Sequence, residues 1–330
     1  MSATSKLSVY RDATDRWRLI EGDAQALLAK LPENSVDCVV ADPPYGIDLG
    51  GEAWDRFGGG GLAAPEAFER WTARWAAEAK RVLKPGAHAA IFGAPRTFHR
   101  LVAGIEDSGL EIRDQLLWLY GTGMPKSRPL PGGLATTLKP SYEPVLLART
   151  PLVGTTKDNL DAWGTGALNI DATRIGERGY WPAHLTLSHA QDCRYGSCAT
   201  GCPVQLLDQE QENLSRLFFC AKAIRAEREA GCEQLPARQV QLYTGSGRPA
   251  RVRRNTHLTV KPVELMRWLV RLVTPPGGTV LDPFTGSGST GIAAVLEGRV
   301  FLGIEREARY VDVACARLTH WAHKAARESS

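Results

Sequence analysis

Short apolar runs alternate with helix-like stretches at both ends of this 330-residue chain, and the alternation lapses in the middle. Trp17–Glu21 and Val36–Ala41 are apolar runs separated by a helix-like stretch from Ala24 to Leu31. Ala87–Phe92 and Glu111–Tyr120 read as further strands with a helix between them. Beyond residue 255 the pattern returns, with a helix over Val263–Val273, a strand at Thr279–Leu281, a helix over Ser289–Leu296, a strand at Arg299–Ile304 and a final helix from Glu307. Strands and helices in this rhythm predict an α/β fold on a mainly parallel sheet.

The intervening stretch, Gly121–Asn255, is rich in Gly, Pro, Ser and Thr and has little periodicity before Asn213. It predicts a small inserted lobe of largely irregular backbone, so residues 1–120 and 256–330 form two halves of one domain and 121–255 a separate region. Gly46–Leu62, with four consecutive glycines at Gly58–Gly61, predicts a mobile loop. Pro65 then opens a helix whose apolar face carries Phe68, Trp71, Trp75, Ala79 and Val82, which at helical spacing reads as a core-facing stripe rather than a ligand pocket.

Composition excludes a few classes. No apolar run is long enough to span a bilayer, and Met1–Leu31 lacks the basic-then-apolar plan of a signal peptide, so a cytoplasmic protein is expected. Seven cysteines without an export signal argue against a disulfide framework. A net charge of +4 identifies no partner by itself, but its distribution does. From Lys222 to Lys261 nine Lys/Arg face three acids, Glu227, Glu229 and Glu233. Within that span Arg248, Arg251, Arg253 and Arg254 form an acid-free cluster suited to neutralising phosphates or reading guanine, the alternative being a solvated basic surface. His189, Cys193, Cys198 and Cys202 are spaced to hold a tetrahedral structural zinc, with His184 able to replace His189; a loop of free thiols is the other reading.

Two motifs carry chemistry. Asp42-Pro43-Pro44-Tyr45 follows the strand ending near Val40, where open parallel sheets place their ligands. An exocyclic amine on a base ring is a poor nucleophile because its lone pair is delocalised. A carboxylate and a backbone carbonyl accepting both of its N–H bonds favour the tetrahedral amine, while a tyrosine holds the base by stacking. The prolines stiffen the turn and remove competing donors. Asp282-Pro283-Phe284-Thr285-Gly286-Ser287-Gly288 lies between a strand and a helix, with glycines that let backbone approach a ligand closely. Glu305 ends the next strand, the usual place for an acid that takes ribose hydroxyls. A generic NAD-binding turn is the alternative, but Asp282 suits a positively charged ligand.

In this order, the early Asp-Pro-Pro-Tyr and the late Asp-Pro-Phe-x-Gly-Ser-Gly resemble the β-class, permuted amino-methyltransferases of DNA, the N4-cytosine/N6-adenine family. Leu19-Ile20-Glu21-Gly22-Asp23, Ser35-Val36-Asp37 and Val82-Leu83-Lys84-Pro85-Gly86 resemble other elements of that family. So does His257-Leu258-Thr259-Val260-Lys261-Pro262, in which Leu258 replaces the usual proline. The resemblance covers roughly residues 17–120 and 255–320 and implies a Rossmann-like sheet with S-adenosylmethionine as cofactor. Asp42 and the Pro43 carbonyl, on the stiff Pro43-Pro44 turn, would then bind the target amine, with Tyr45 stacking on an extruded base. Asp282, Phe284, Thr285, Gly286, Ser287 and Gly288 would line the cofactor, Glu305 its ribose and Asp23 its adenine, and Lys261 would sit near its methionine end. The 121–255 lobe would be the target-recognition region on double-stranded DNA. A homodimer and a restriction endonuclease are the other partners the family suggests.

The implied reaction is direct transfer from the sulfonium to adenine N6, since Asp at the first position of the motif favours adenine; cytosine N4 is the alternative. A covalent cytosine-C5 route needs a Pro-Cys nucleophile, and the sequence has no Pro-Cys pair. RNA or protein-amide methyltransferases usually carry the cofactor loop first, and a non-catalytic DNA-binding module would show damage at Asp42, Tyr45 or the Gly286/Gly288 loop.

Overall fold

The structure, a computed structural model, describes residues 8–57, 65–120, 130–138, 140–174, 179, 181–187, 198, 202, 204–205, 223–240 and 251–328. In chain order its strands are β1 (Val9–Arg11), β2 (Trp17–Glu21), β3 (Val36–Ala41), β4 (Leu83–Phe92), β5 (Glu111–Leu119), β6 (Tyr142–Arg149), β7 (Leu185–Leu187), β8 (Arg238–Val240), β9 (Arg251–Arg253), β10 (Thr279–Asp282) and β11 (Val300–Glu305). Nine of them make one sheet in the order β1-β2-β11-β10-β3-β4-β6-β5-β7, while β8 and β9 pair as a separate antiparallel ribbon. The run from β2 through β11, β10 and β3 to β4 is parallel.

Helices cover both faces, as a parallel core requires. The alternation along β3 divides the core: Cys38 and Val40 face one layer, Val39 and Ala41 the other. Against the second face lie α1 (Ala24–Leu28), α2 (Pro65–Val82) and α3 (Phe98–Asp107), contributing Leu28, Phe68, Trp75, Ala79, Leu101 and Ile105. After α4 (Thr156–Trp163) and α5 (Arg225–Glu229), the first face is covered by α6 (Val263–Val273), α7 (Ser289–Leu296) and α8 (Ala308–Glu328). With every residue of β3 buried, its apolar run is continuous rather than alternating.

The sheet takes two strands from the segment expected to be a lobe of its own, β6 and, at the edge beside β5, the short β7. β6 lies between β4 and β5, antiparallel to both. Nearby, α4 begins with a capping box formed by Thr155 and Asp158, and Asn159 in it donates to the Pro85 carbonyl at 2.8 Å. Residues 142–163 therefore belong with the sheet. No helix among the described residues is long and apolar enough to cross a membrane.

Strand register assembles the site. Leu281 is level with Val39, Asp282 with Gly303 and Glu305 with Glu21, so Asp42, Asp282, Glu305 and Asp23 all emerge at one carboxyl edge. Because β6 is antiparallel, it brings its amino end to that same edge: Val145 is level with Phe92, and Glu143 lies just beyond.

Candidate active site

At the carboxyl edge a cavity of about 380 Å³ opens, a size typical of small-ligand sites. Asp23, Asp42, Pro43, Pro44, Tyr45, Phe284, Gly286 and Glu305 line it, bringing both sequence motifs into one space although some 240 residues separate them. An adjoining recess is lined by Lys261, Asp282, Thr285 and Ser287 and shares Asp42, Phe284 and Gly286 with the cavity. Gly288 lines neither; at φ 78° it turns the chain into α7 and lies 3.3 Å, by its missing Cβ, from the Ala314 backbone.

The Asp42-Pro43-Pro44-Tyr45 turn is the centre of a closed polar cluster. The Tyr45 hydroxyl donates to Asp42 Oδ1 at 2.6 Å and approaches Glu143 Oε2 at 3.2 Å. Lys261 Nζ donates to Asp42 Oδ2 and stands 3.3 Å from Glu143 Oε2. It also lies 4.9 Å from the centre of the Phe92 ring and 5.5 Å from that of Tyr45. Burial works against the lysine charge, but the two carboxylates outweigh it and hold the ammonium above its ordinary pKa. Burial and the same carboxylates push the Tyr45 hydroxyl well above the ordinary tyrosine value, so it remains a donor.

The cofactor-loop half is different. Phe284 N–H donates to Asp282 Oδ1 at 3.0 Å. Glu305 accepts from Gly286 N at 2.7 Å and from Glu307 N at 2.8 Å. No Lys or Arg among the described residues pairs with either acid. Burial pushes Asp282 up to about 7, with Asp42 and Glu305 adding to the rise. Asp23 caps α1 by accepting from Ala26 N at 3.1 Å while its side chain lines the cavity. His257, buried near Lys261, Arg228 and Arg317, is lowered to about 3 and stays neutral. Thr259 N–H donates to its Nδ1, which leaves the ring proton on Nε2. A Cβ on Gly286, at φ 51°, would stand 2.6 Å from that Nε2, so only glycine fits there.

Several contributors were not singled out in the sequence. Trp71, read as core, lines the cavity and stands 5.4 Å from Phe284 and 4.9 Å from Phe57 between ring centres; Trp75, one turn on, is fully buried as expected. Asp55 and Thr97 hold the Tyr45 backbone, through bonds of 2.6 Å to its N–H and 2.6 Å to its carbonyl. Glu143 had no motif around it; only the antiparallel return of β6 places it.

Arg248 lies outside the described residues, in the stretch joining β8 to β9. Arg251 and Arg253 lie on β9, and Arg254 follows it, donating through its guanidinium to the Leu235 carbonyl. His189 and Cys193 of the candidate zinc set also lie outside the described residues; Cys202 is buried, and the His184 carbonyl accepts from Leu117 N–H at 2.8 Å.

A mainly parallel sheet with an acid-lined cavity at its carboxyl edge, a Pro-Pro-Tyr turn on one wall and a glycine loop on the other is the architecture of an α/β protein with a small-ligand site. The family described as DNA methylase, of the N6/N4 type, matches residues 36–316, and the chain belongs to it. The Type II methyltransferase M.HindIII of Haemophilus influenzae strain Rd is 25% identical, over 88% of this chain and 91% of its own length. M.HinfI, also of Haemophilus influenzae, is 23% identical over 91% of this chain and 67% of its own. Among solved structures, the PvuII DNA methyltransferase, described as cytosine-N4-specific, superposes with a TM-score of 0.59 at 16% identity, covering 94% of this chain and 93% of that one. That likeness speaks for the fold.

Proposed function

We propose that this DNA methylase transfers a methyl group from S-adenosylmethionine to adenine N6 in double-stranded DNA. The observation that carries the proposal is one cavity walled by Asp42, Pro43 and Tyr45 on one side and by Phe284, Gly286 and Glu305 on the other. The cofactor fits the residues present: Asp282 and Glu305 are buried acids without a cationic partner among the described residues, Trp71 and Phe284 offer aromatic walls, and Gly286 brings backbone to the cavity surface. Bound there, S-adenosylmethionine supplies an activated methyl group.

The chain's own residues then align and polarise. Asp42 and the Pro43 carbonyl accept the two amine N–H bonds and draw the lone pair out of conjugation, while Tyr45 stacks on the extruded base. Burial raises the pKa of Asp42, and Lys261, held between Asp42 and Glu143, opposes that rise and favours the ionised form. Asp282 faces the positive amino-acid end of the cofactor, Glu305 its ribose and Asp23 its adenine. The first-position Asp42 favours adenine over cytosine. Arg248, Arg251, Arg253 and Arg254 contact DNA phosphates or bases, and residues outside the sheet in 121–255 read the target sequence. The relatives named Type II methyltransferases suggest a restriction endonuclease as partner.

The test is transfer of labelled methyl to unmethylated duplex DNA, followed by nucleoside mass analysis, with Asp42→Ala as control. N6-methyladenine that falls by about 10³-fold in the control is the expected result. N4-methylcytosine in its place overturns the choice of base, and no transfer despite cofactor binding overturns the reaction.

A further inference from the structure

The catalytic turn is held from beneath by a carboxylate outside the polar cluster around Asp42. Asp55 ends the short 3-10 turn Ala53–Asp55 and is entirely buried. Its Oδ1 accepts the N–H of Tyr45 at 2.6 Å and of Gly46 at 2.7 Å. Its Oδ2 accepts those of Ile47 at 3.1 Å and Leu49 at 2.8 Å. Successive amides converge on one anion when the chain curls through the left-handed region. Gly46 at φ 68° and Asp48 at φ 54° supply that curl, and Gly46 leaves its Cβ position against the Phe68 ring, 3.0 Å away. The loop is thus wrapped around an anion that belongs to the protein itself.

What those amides fix is the residue that meets the base. Tyr45 is tied at three places: its N–H to Asp55, its carbonyl to the Thr97 hydroxyl at 2.6 Å, and its own hydroxyl to Asp42 and Glu143. Remove the first tie and the ring can pivot about the other two. The same turn sets Trp54, Arg56 and Phe57 into the cavity lining, so one carboxylate links Tyr45 to other parts of that lining. A buried carboxylate without a cation is costly, and four N–H donors are what make it tolerable here.

We propose that Asp55 is a positioning residue for methyl transfer: by gathering the amides of Tyr45, Gly46, Ile47 and Leu49 it fixes the Tyr45 ring against which the target base stacks. The catalytic half of this proposal rests on the methyltransferase function given above; the ordering of the loop does not.

Asp55→Asn and Asp55→Ala in the full chain separate the two. Asparagine has the same shape, but whichever way its amide turns, one pair of N–H groups meets an NH₂ instead of an oxygen. Alanine removes both pairs. Single-turnover methyl transfer to unmethylated duplex DNA is measured beside the dissociation constants for DNA and cofactor and the amide hydrogen exchange of each variant. The expected rates fall about tenfold for asparagine and about a hundredfold for alanine, with both dissociation constants within about threefold of wild type. Faster exchange is expected at Tyr45–Leu49 and not across the sheet. A rate within about twofold of wild type while those amides lose protection overturns the proposal. So does a rate lost together with global exchange protection, which marks a merely structural residue; if the alanine variant does not fold, the asparagine variant decides. A wild-type chain that transfers no methyl group overturns the proposed function instead, and the exchange data then decide whether Asp55 orders the loop.

Discussion

The two walls of the cavity handle charge in opposite ways. On the Pro-Pro-Tyr wall Asp42 and Glu143 share the ammonium of Lys261 and the hydroxyl of Tyr45, so both carboxylates find side-chain donors inside the protein. On the cofactor-loop wall Asp282 and Glu305 are held by backbone N–H groups, and no described cation pairs with them. A wall already paired suits a neutral partner, such as the amine of a base. A wall with unbalanced acid suits a cation, such as the sulfonium amino acid. On the proposed function, that difference would let one edge of a sheet sort two ligands without a barrier between them.

Lys261→Met breaks the internally paired wall and carries a large expected effect on stability. It strands two half-buried carboxylates, and loss of one partner from a fully buried ion pair, the upper bound here, costs about 3–5 kcal/mol. Denaturant unfolding reads this directly, and adding Glu143→Gln to Lys261→Met is expected to recover part of the loss by removing one of the stranded charges. Equal stability of the single and double variants breaks the idea that Glu143 belongs to the cluster.

Asp282 tests the unbalanced wall through pH. Its pKa, raised to about 7, means that the cofactor-free protein holds much of this carboxyl protonated below neutrality. A cation binds the ionised form, so cofactor affinity is expected to rise with pH up to about 7 and to level off above it, by up to about tenfold per pH unit. Calorimetric titrations of wild type and Asp282→Asn at pH 6, 7 and 8 check this; the asparagine variant isolates the carboxyl from titration of the ligand's own amine. The stability effect has the opposite sign. A carboxyl whose folded pKa lies above its unfolded value loses stability as pH rises from the unfolded pKa to the folded one. Asp282→Asn is therefore expected to raise Tm in the absence of cofactor, and more at pH 8 than at pH 5, while weakening cofactor binding.

Trp71 and Trp75 sharpen the comparison between wall and core. Trp75→Ala is expected to cost about 3–5 kcal/mol of stability, as for a buried aromatic. Trp71→Ala is expected to cost less stability and to weaken cofactor binding about tenfold, the size of one aromatic stacking contact. Helical spacing placed both on one stripe, and it could not separate them: the stripe runs from the core out to the cavity, where Phe284 arrives from the turn after β10, far along the chain. The rest of the site divides along the same line. Asp42, Tyr45, Asp282 and Glu305 were legible because each sits in a local signature at the end of an apolar run. Glu143 and Asp55 were not, because their roles arise from an antiparallel return and a loop that folds back on itself. β6 itself was hidden by its setting: Val145-Leu146-Leu147-Ala148 is too short to show a period, and only its place between β4 and β5 makes it a strand.

The smallest expected effect lies away from the cavity, on the ribbon of β8 and β9. If Arg253 neutralises a phosphate, Arg253→Ala should weaken binding of every duplex alike and lower the slope of log K against log salt by about 1. If it reads a base, affinity should fall by about 1–3 kcal/mol for the target sequence only, with specificity relaxed at one position. Arg254, whose guanidinium donates to the Leu235 carbonyl, is the useful neighbour for comparison. Its replacement should loosen the contact between the ribbon and residue 235 and change the salt slope less than Arg253→Ala does. Equal slopes for the wild type and both variants would move DNA contact off this ribbon, and the walls of the cavity would then have to be fed from another face of the molecule.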